Sequence, residues 1–252
     1  MPKKVYAIKV GYDSENNKKI ENKIVTTWDE CLRCVKGVKG AIYKSFPNMD
    51  EANRYLNETQ QLLKKEDGKY PVDCLHVYVD GSYNKDTEKY SYGVVVVKDD
   101  VIQYIESGAA MDKSAKSIRQ IAGELKGAIR AAEYALEHKQ DKVVIFHDYE
   151  GISHHATGFW ERREESSKAY YKRMNELMEQ GLKIIFVKVD SHTGDIYNEL
   201  VDEKCKEQLG INSSKTVEKW LSSKKLMVLN KDVKEEIESI AIDLNDNIEI
   251  VE

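Results

Sequence analysis

Apolar and polar positions change period several times along the chain, and each change marks an element. Residues 5–10, Val5-Tyr6-Ala7-Ile8-Lys9-Val10, form an extended apolar run that predicts a strand; a polar loop and a second strand near 23–25 follow. Thr27 and Glu30 have the spacing of a capping box, so a helix begins near Trp28, and Gly37 and Gly40 end it. A third strand follows at 41–46, and Asn48 with Glu51 repeats the capping spacing for a last helix reaching Leu56. Residues 1–56 therefore read as a small domain, a three-stranded sheet with two helices. Residues 57–70, with Gln60-Gln61 and Lys64-Lys65-Glu66-Asp67-Gly68, carry no sustained strand pattern and read as a linker with a helical start.

Strand patterns return at 75–80, 90–98, 101–108, 143–148 and 183–189, with a strong helical pattern at 117–137 and further helices after the fourth and fifth strands. The first three strands are spaced as an antiparallel meander. The later ones alternate with helices and should run parallel, which predicts an α/β domain over 71–211 with a mixed five-stranded sheet flanked by helices. Ligands of such sheets gather at the carboxyl ends of the strands. Residues 212–252 open on Asn212-Ser213-Ser214, show a helix at 233–242 and end in an acidic run; the sequence assigns this tail no role.

Four acidic residues stand where a carboxylate would reach a common site. Asp80 ends the run Leu75-His76-Val77-Tyr78-Val79, and Asp148 ends Val143-Val144-Ile145-Phe146-His147. Glu124 lies in the first turns of the 117–137 helix, and Asp202 lies four residues after Asn198 on another helical pattern. Hard oxygen ligands at strand ends and helix starts suit Mg2+, and a pair of such ions is common machinery for in-line displacement at phosphorus. The pattern points to a metal-dependent nuclease.

Composition qualifies this only slightly. The formal net charge is −5, yet residues 1–60 carry eleven Lys/Arg against eight Asp/Glu, so the basic part is the N-terminal one, as suits a domain that meets phosphates. The four cysteines, Cys31, Cys34, Cys74 and Cys205, make no disulfide framework, and Cys31-x-x-Cys34 has no second ligand pair for zinc. Nothing at the N-terminus resembles a signal peptide and no apolar run approaches membrane-spanning length, so a cytoplasmic, reduced setting without a membrane partner is expected.

Residues 74–211 resemble the catalytic domain of type 1 ribonuclease H, on Val79-Asp80-Gly81-Ser82, Gly123-Glu124-Leu125, His147-Asp148-Tyr149 and His192-Thr193-Gly194-Asp195-Ile196-Tyr197-Asn198-Glu199-Leu200-Val201-Asp202. Residues 5–56 resemble the hybrid-binding domain known also from caulimovirus viroplasmin, on Val5-Tyr6-Ala7, Trp28-Asp29-Glu30-Cys31 and Gly40-Ala41-Ile42-Tyr43-Lys44-Ser45-Phe46. The resemblance implies hydrolysis of the RNA strand of RNA–DNA hybrids with two Mg2+ ions, for which Mn2+ can substitute, leaving 5′-phosphate and 3′-hydroxyl ends. Asp80 would be shared by both ions. Glu124 and Asp148 would complete the site of the attacking water, and Asp202 the site of the leaving oxygen.

His192, on a glycine-containing loop, would shuttle a proton or assist product release, with Glu199 ordering metal or His192. Asn198 would contact substrate or cap its helix. Gln120 and Asn84 are placed to read 2′-hydroxyls, and Trp28 and Tyr43 offer faces to sugar or base, with Lys44 for phosphate. The expected partner is the hybrid duplex, with double-stranded RNA a further ligand of the small domain and the chain a monomer. Two other classes fit less well. A hybrid- or double-stranded-RNA-binding protein with a dead nuclease would lack one of the carboxylates, and a DNA-acting nuclease of the same superfamily would lack the His192-to-Asp202 spacing and the N-terminal module.

Overall fold

The computed structural model describes residues 4–13, 16–57, 62–111, 118–160, 164–190 and 194–251. The chain divides into two compact units, 1–61 and 62–252.

In the smaller unit β1 (Val5–Asp13) is the central strand, antiparallel to β2 (Lys18–Val25) on one side and β3 (Ile42–Phe46) on the other. The polar loop expected after residue 10 is instead the end of a longer hairpin. Gly11 pairs with Ile20 and Tyr12 with Lys19, and the burial of Ile20 under the first helix carries the ladder further than composition indicated. That helix, α1 (Trp28–Val35), starts as read. Thr27 Oγ1 accepts from the Glu30 amide at 3.3 Å, and Glu30 Oε2 accepts from the Thr27 amide at 3.2 Å. Its buried Cys31, Cys34 and Val35 pack on Ile8, Ile20 and Val25. The turn after α1 uses Gly37 and Gly40 at φ 74° and 80°, a conformation that L side chains rarely adopt. Asn48 Oδ1 accepts from the Glu51 amide at 2.9 Å to begin α2 (Met49–Asn57), whose Ala52 and Tyr55 are buried.

The larger unit is built on an eight-stranded mixed sheet. The five expected strands form its centre: β5 (Leu75–Asn84), β6 (Lys89–Lys98) and β7 (Val101–Ala110) as an antiparallel meander, then β8 (Lys142–His147) parallel to β5 and β9 (Lys183–Lys188) parallel to β8. Val143 to Phe146 are buried without interruption, because helices cover both faces. On one face α3 (Gln120–Glu137), α4 (Gly151–Ala156) and α5 (Glu165–Glu179) enclose Val77, Val79, Val143 and Ile145. On the other, α6 (Ile196–Glu207) lays Leu200 and Val201 against Tyr78, Val95 and Phe146.

Three short strands widen the sheet beyond the five anticipated. Within the stretch 57–70, expected to be a linker, β4 (Leu63–Lys64) pairs in parallel with β9, so that 62–70 belongs to the larger unit. A two-residue strand has too few positions to show a period, which is why the pattern is silent there. Beyond residue 211 come α7 (Thr216–Leu221), β10 (Leu226–Val228), α8 (Lys231–Glu238) and β11 (Ile248–Ile250). β10 pairs with β7 and β11 with β10, both in parallel. The helix expected at 233–242 begins and ends earlier; its start is fixed by Asn230, whose Oδ1 accepts from the Val233 amide at 3.0 Å.

Candidate metal centre

Asp148 follows the carboxyl end of β8, whereas Asp80 lies within β5, which continues to Asn84 instead of ending at residue 80; Asp80 stands two residues past the last parallel pairing of β5 with β8, Tyr78 with Phe146. What brings Glu124 to them is a contact between glycines. A Cβ on Gly123 would lie 1.9 Å from the Ser91 carbonyl oxygen and 2.9 Å from Gly81 Cα. A Cβ on Gly81 would lie 2.4 Å from the Gln120 carbonyl oxygen and 2.5 Å from the Glu124 nitrogen. The first turns of α3 therefore press backbone to backbone on β5 and β6, a distance that no side chain permits. Glu124 is delivered beside Asp80 as a result. One carboxylate oxygen from each of Asp80, Glu124 and Asp148 lies within 4.8 Å of the others.

The electrostatics follow from crowding like charges in a buried place. Burial, then Asp148 and Asp202, raises the Asp80 carboxyl well above its ordinary range, opposed by the Gly81 N–H, which donates to Asp80 Oδ1 at 2.7 Å, and by Lys206. Glu124 is pushed up to about 9, chiefly by burial and then by Asp148 and Asp80. Its Oε2 is buried and has no hydrogen-bond partner among the described residues. An orphaned carboxylate oxygen amid two further acids is the donor set a hard divalent cation takes, and a bound cation reverses the sign of the local potential. The residues present fit Mg2+.

Asp202 is set apart from this trio. It lies on α6, mostly buried, and its Oδ2 accepts from Lys206 Nζ at 2.6 Å. Its charge still bears on Asp80, so it faces the site from the margin. Lys206 is the residue that sequence reading missed; its signal is the i, i+4 spacing from Asp202, which places an ammonium beside a carboxylate on a helix. The glycines Gly81 and Gly123 adjoin Asp80 and Glu124 in sequence, yet only the fold reveals that they touch.

The other candidates divide. His192 lies outside the described residues. Asn198 and Glu199 are buried in the first turn of α6. Asn84 is occupied by the protein's own backbone: Oδ1 accepts from the Asp86 and Thr87 amides at 2.9 and 3.2 Å, and Nδ2 donates to the Leu209 carbonyl at 3.3 Å. Gln120 is exposed at the start of α3. His147, next to Asp148, is fully buried and held neutral, its pKa lowered to about 3 by burial.

In the small unit Trp28 and Tyr43 are both partly exposed, with ring centroids 6.0 Å apart, and Tyr6 lies 5.6 Å from Trp28. Lys44 does not join this platform. As the next residue on β3 it points to the opposite face, where its ammonium lies over Phe46 and Tyr55 at 5.5 and 5.8 Å. The expectation that all three would address one duplex is corrected by strand alternation.

The comparisons with known proteins follow the same division. The profile described as Ribonuclease H1 N-terminal domain matches residues 4–56, and the RNase H profile matches residues 73–210. A ribonuclease H from Crithidia fasciculata is 54% identical over 33 residues, which are 13% of this chain; the chain thus spans only 7% of that relative's length. Among solved structures, RNase H1 from Halobacterium salinarum is 22% identical with a TM-score of 0.46, covering 54% of this chain and 97% of that one. LC11-RNase H1, solved in complex with an RNA/DNA hybrid, is 19% identical with a TM-score of 0.44, covering 54% and 99%. Because the RNase H match takes in more than half of its residues, the chain belongs to the RNase H family.

Proposed function

We propose that this protein hydrolyses the RNA strand of RNA–DNA hybrids, leaving 5′-phosphate and 3′-hydroxyl ends, with Mg2+ as cofactor and Mn2+ able to substitute. The observation that carries the proposal is the buried trio Asp80, Glu124 and Asp148, with its orphaned Glu124 oxygen, in a chain of the RNase H family.

Asp80, Glu124, Asp148 and Asp202 would hold two ions. The chemistry that Mg2+ supplies when bound is charge neutralisation at the scissile phosphate and a lowered pKa for the attacking water. Asp80 is central by position and so shared between both halves of the site. Glu124 and Asp148 serve the side of the attacking water, and Asp202 the side of the leaving 3′ oxygen. His192 moves a proton or assists product release, and Glu199 orders metal or His192. Gln120, exposed at the start of α3, is the residue offered to the 2′-hydroxyls; Asn84, bound to backbone on both ends of its amide, holds the β5–β6 turn instead, and Asn198 is buried within α6. The Trp28–Tyr43 platform packs on sugar, and Lys44 meets phosphate only on the other face of the small sheet. The partner in this reading is the hybrid duplex, with double-stranded RNA a further ligand of the small unit, and the chain works as a cytoplasmic monomer.

The test is cleavage of matched RNA–DNA, RNA–RNA and DNA–DNA duplexes with Mg2+, with Mn2+ or with EDTA. RNA-strand cleavage of the hybrid alone, abolished by EDTA, is the expected result. Equal cleavage of DNA–DNA would favour a DNA-acting nuclease, and binding without cleavage a hybrid-binding protein.

A further inference from the structure

The RNase H match ends at residue 210; beyond it α7 packs on the helix that carries Asp202, and α8 is tied to that helix through Lys204. Val217 and Leu221 of α7, Leu226 and Val228 of β10, and Val233 and Ile237 of α8 are buried in one core with Leu200 and Val201 of α6. Two polar side chains of α6 tie the same helix to this segment. Glu203 Oε1 accepts from the Thr216 amide at 2.5 Å and the Val217 amide at 3.4 Å, capping α7, whose own N-cap residue Lys215 supplies no side-chain bond. Lys204, 2% exposed, places Nζ 3.0 Å from the Glu236 carbonyl and 3.0 Å from Ser239 Oγ on α8. It also pairs with the carboxylates of Glu236 at 2.7 Å and Glu207 at 2.6 Å.

Successive helix residues turn by about 100°, so Lys206 shares the side of Asp202, Lys204 lies nearly opposite, and Glu203 stands about a right angle away. One stretch of α6 thus presents the acid on one side and its anchors on the flank and the back. Asp202 lies outside the Asp80–Glu124–Asp148 trio, and its approach to those acids depends on where α6 is held. Misplacement of a catalytic group by about 1 Å can cost on the order of 10²-fold in rate.

We propose that residues 212–251 form a buttress for α6, with Glu203 and Lys204 as positioning residues that set the presentation of the Asp202 carboxylate to the metal centre. The proposal rests on the metal-dependent reading above.

The test uses the full chain carrying Glu203→Ala, Glu203→Gln, or the surface pair Glu236→Gln with Ser239→Ala. Mn2+ affinity is measured without substrate by paramagnetic titration, beside the Mg2+ concentration for half-maximal cleavage and KM for hybrid. Glu203→Ala should weaken Mn2+ binding by about 10-fold, the lower end for residues that support a metal ligand, and raise the Mg2+ requirement with KM little changed. Glu203→Gln keeps an acceptor for the α7 amides and should stay near wild type. The surface pair should shift both cation measures in the same direction by less, with a small fall in melting temperature, since Lys204 keeps Glu207 and the Glu236 carbonyl. Unchanged cation affinity in Glu203→Ala overturns the buttress. So does an equal loss in Glu203→Gln, which would mean that the charge of Glu203 acts on Asp202 directly. If Glu203→Ala does not fold, the surface pair decides: unchanged Mn2+ affinity there overturns the proposal. A wild-type chain that cuts no hybrid would defeat the proposed function, while the Mn2+ titration would still test the buttress.

Discussion

Neutralising one acid of the trio has opposite effects on activity and on stability without metal. Asp80 and Glu124 both carry raised pKa values, from burial first and from neighbouring carboxylates next, so the metal-free centre holds unfavourable charge. Asp148→Asn should abolish hybrid cleavage. In EDTA near neutral pH it should stabilise the fold, on the order of 1 kcal/mol, because one like charge is gone while shape is kept. Thermal melts with and without Mg2+ check this: the wild type should gain stability from Mg2+ and the variant should not. Wild-type turnover by Asp148→Asn or Asp80→Asn would remove these residues from the site. Gly123→Ala probes how Glu124 is delivered. Its Cβ would meet the Ser91 carbonyl oxygen at 1.9 Å, and backbone cannot swing aside as a side chain can. Overpacking of this kind costs about 1–3 kcal/mol or more and should move Glu124 off its position. Denaturant melts and cleavage rates should fall together, and a variant unaltered in both would show that α3 can yield without harm.

At the level of elements, the short segment that joins the larger sheet at β4 is held chiefly by Lys65. Its ammonium pairs with Asp195, at the start of α6, and donates to Tyr78 Oη at 2.6 Å. It also lies 4.8 and 5.4 Å from the ring centroids of Tyr78 and Phe146, which stack at 4.5 Å. The side chain of Lys64, one residue earlier, is paired in the open with Glu66. Lys65→Met should therefore destabilise the larger unit by about 1–3 kcal/mol, since it strands a largely buried carboxylate, whereas Lys64→Met should cost less than about 0.5 kcal/mol. Equal effects in urea melts would mean that the Lys65 contacts are incidental.

For the whole molecule, two compact units joined in one chain predict a division of labour. A fragment of residues 62–252 should still cut hybrid, with KM raised more than kcat is lowered, because a tethered binding unit raises local substrate concentration. Trp28→Ala in the full chain should reproduce that rise in KM. Lys44→Ala should not, since Lys44 lies across the small sheet from the aromatic platform. Binding by residues 1–61 should weaken steeply with salt as phosphate counterions are released. A folded 1–61 fragment without affinity for hybrid at low salt would make the small unit a protein-interaction module instead.

The chain alone determined the two-unit order, the five central strands, and the placing of Glu124 in the first turns of a helix and of Asp148 just past a strand. These are local properties: period, capping spacing and the residue that ends an apolar run are all written within a few positions. Only the tertiary structure decided that Gly81 and Gly123 touch, that Lys206 occupies Asp202, and that Lys44 and Tyr43 face opposite ways in the folded unit. It also decided that 62–70 and 212–251 complete the sheet by pairing with β9 and β7, strands far from them in sequence. β4, β10 and β11 have two or three residues each and no period of their own, so what makes them strands is the unpaired edge of a neighbour. Edges, close backbone approaches and the partners of buried charges are relations between distant residues, and they exist only once the chain has folded.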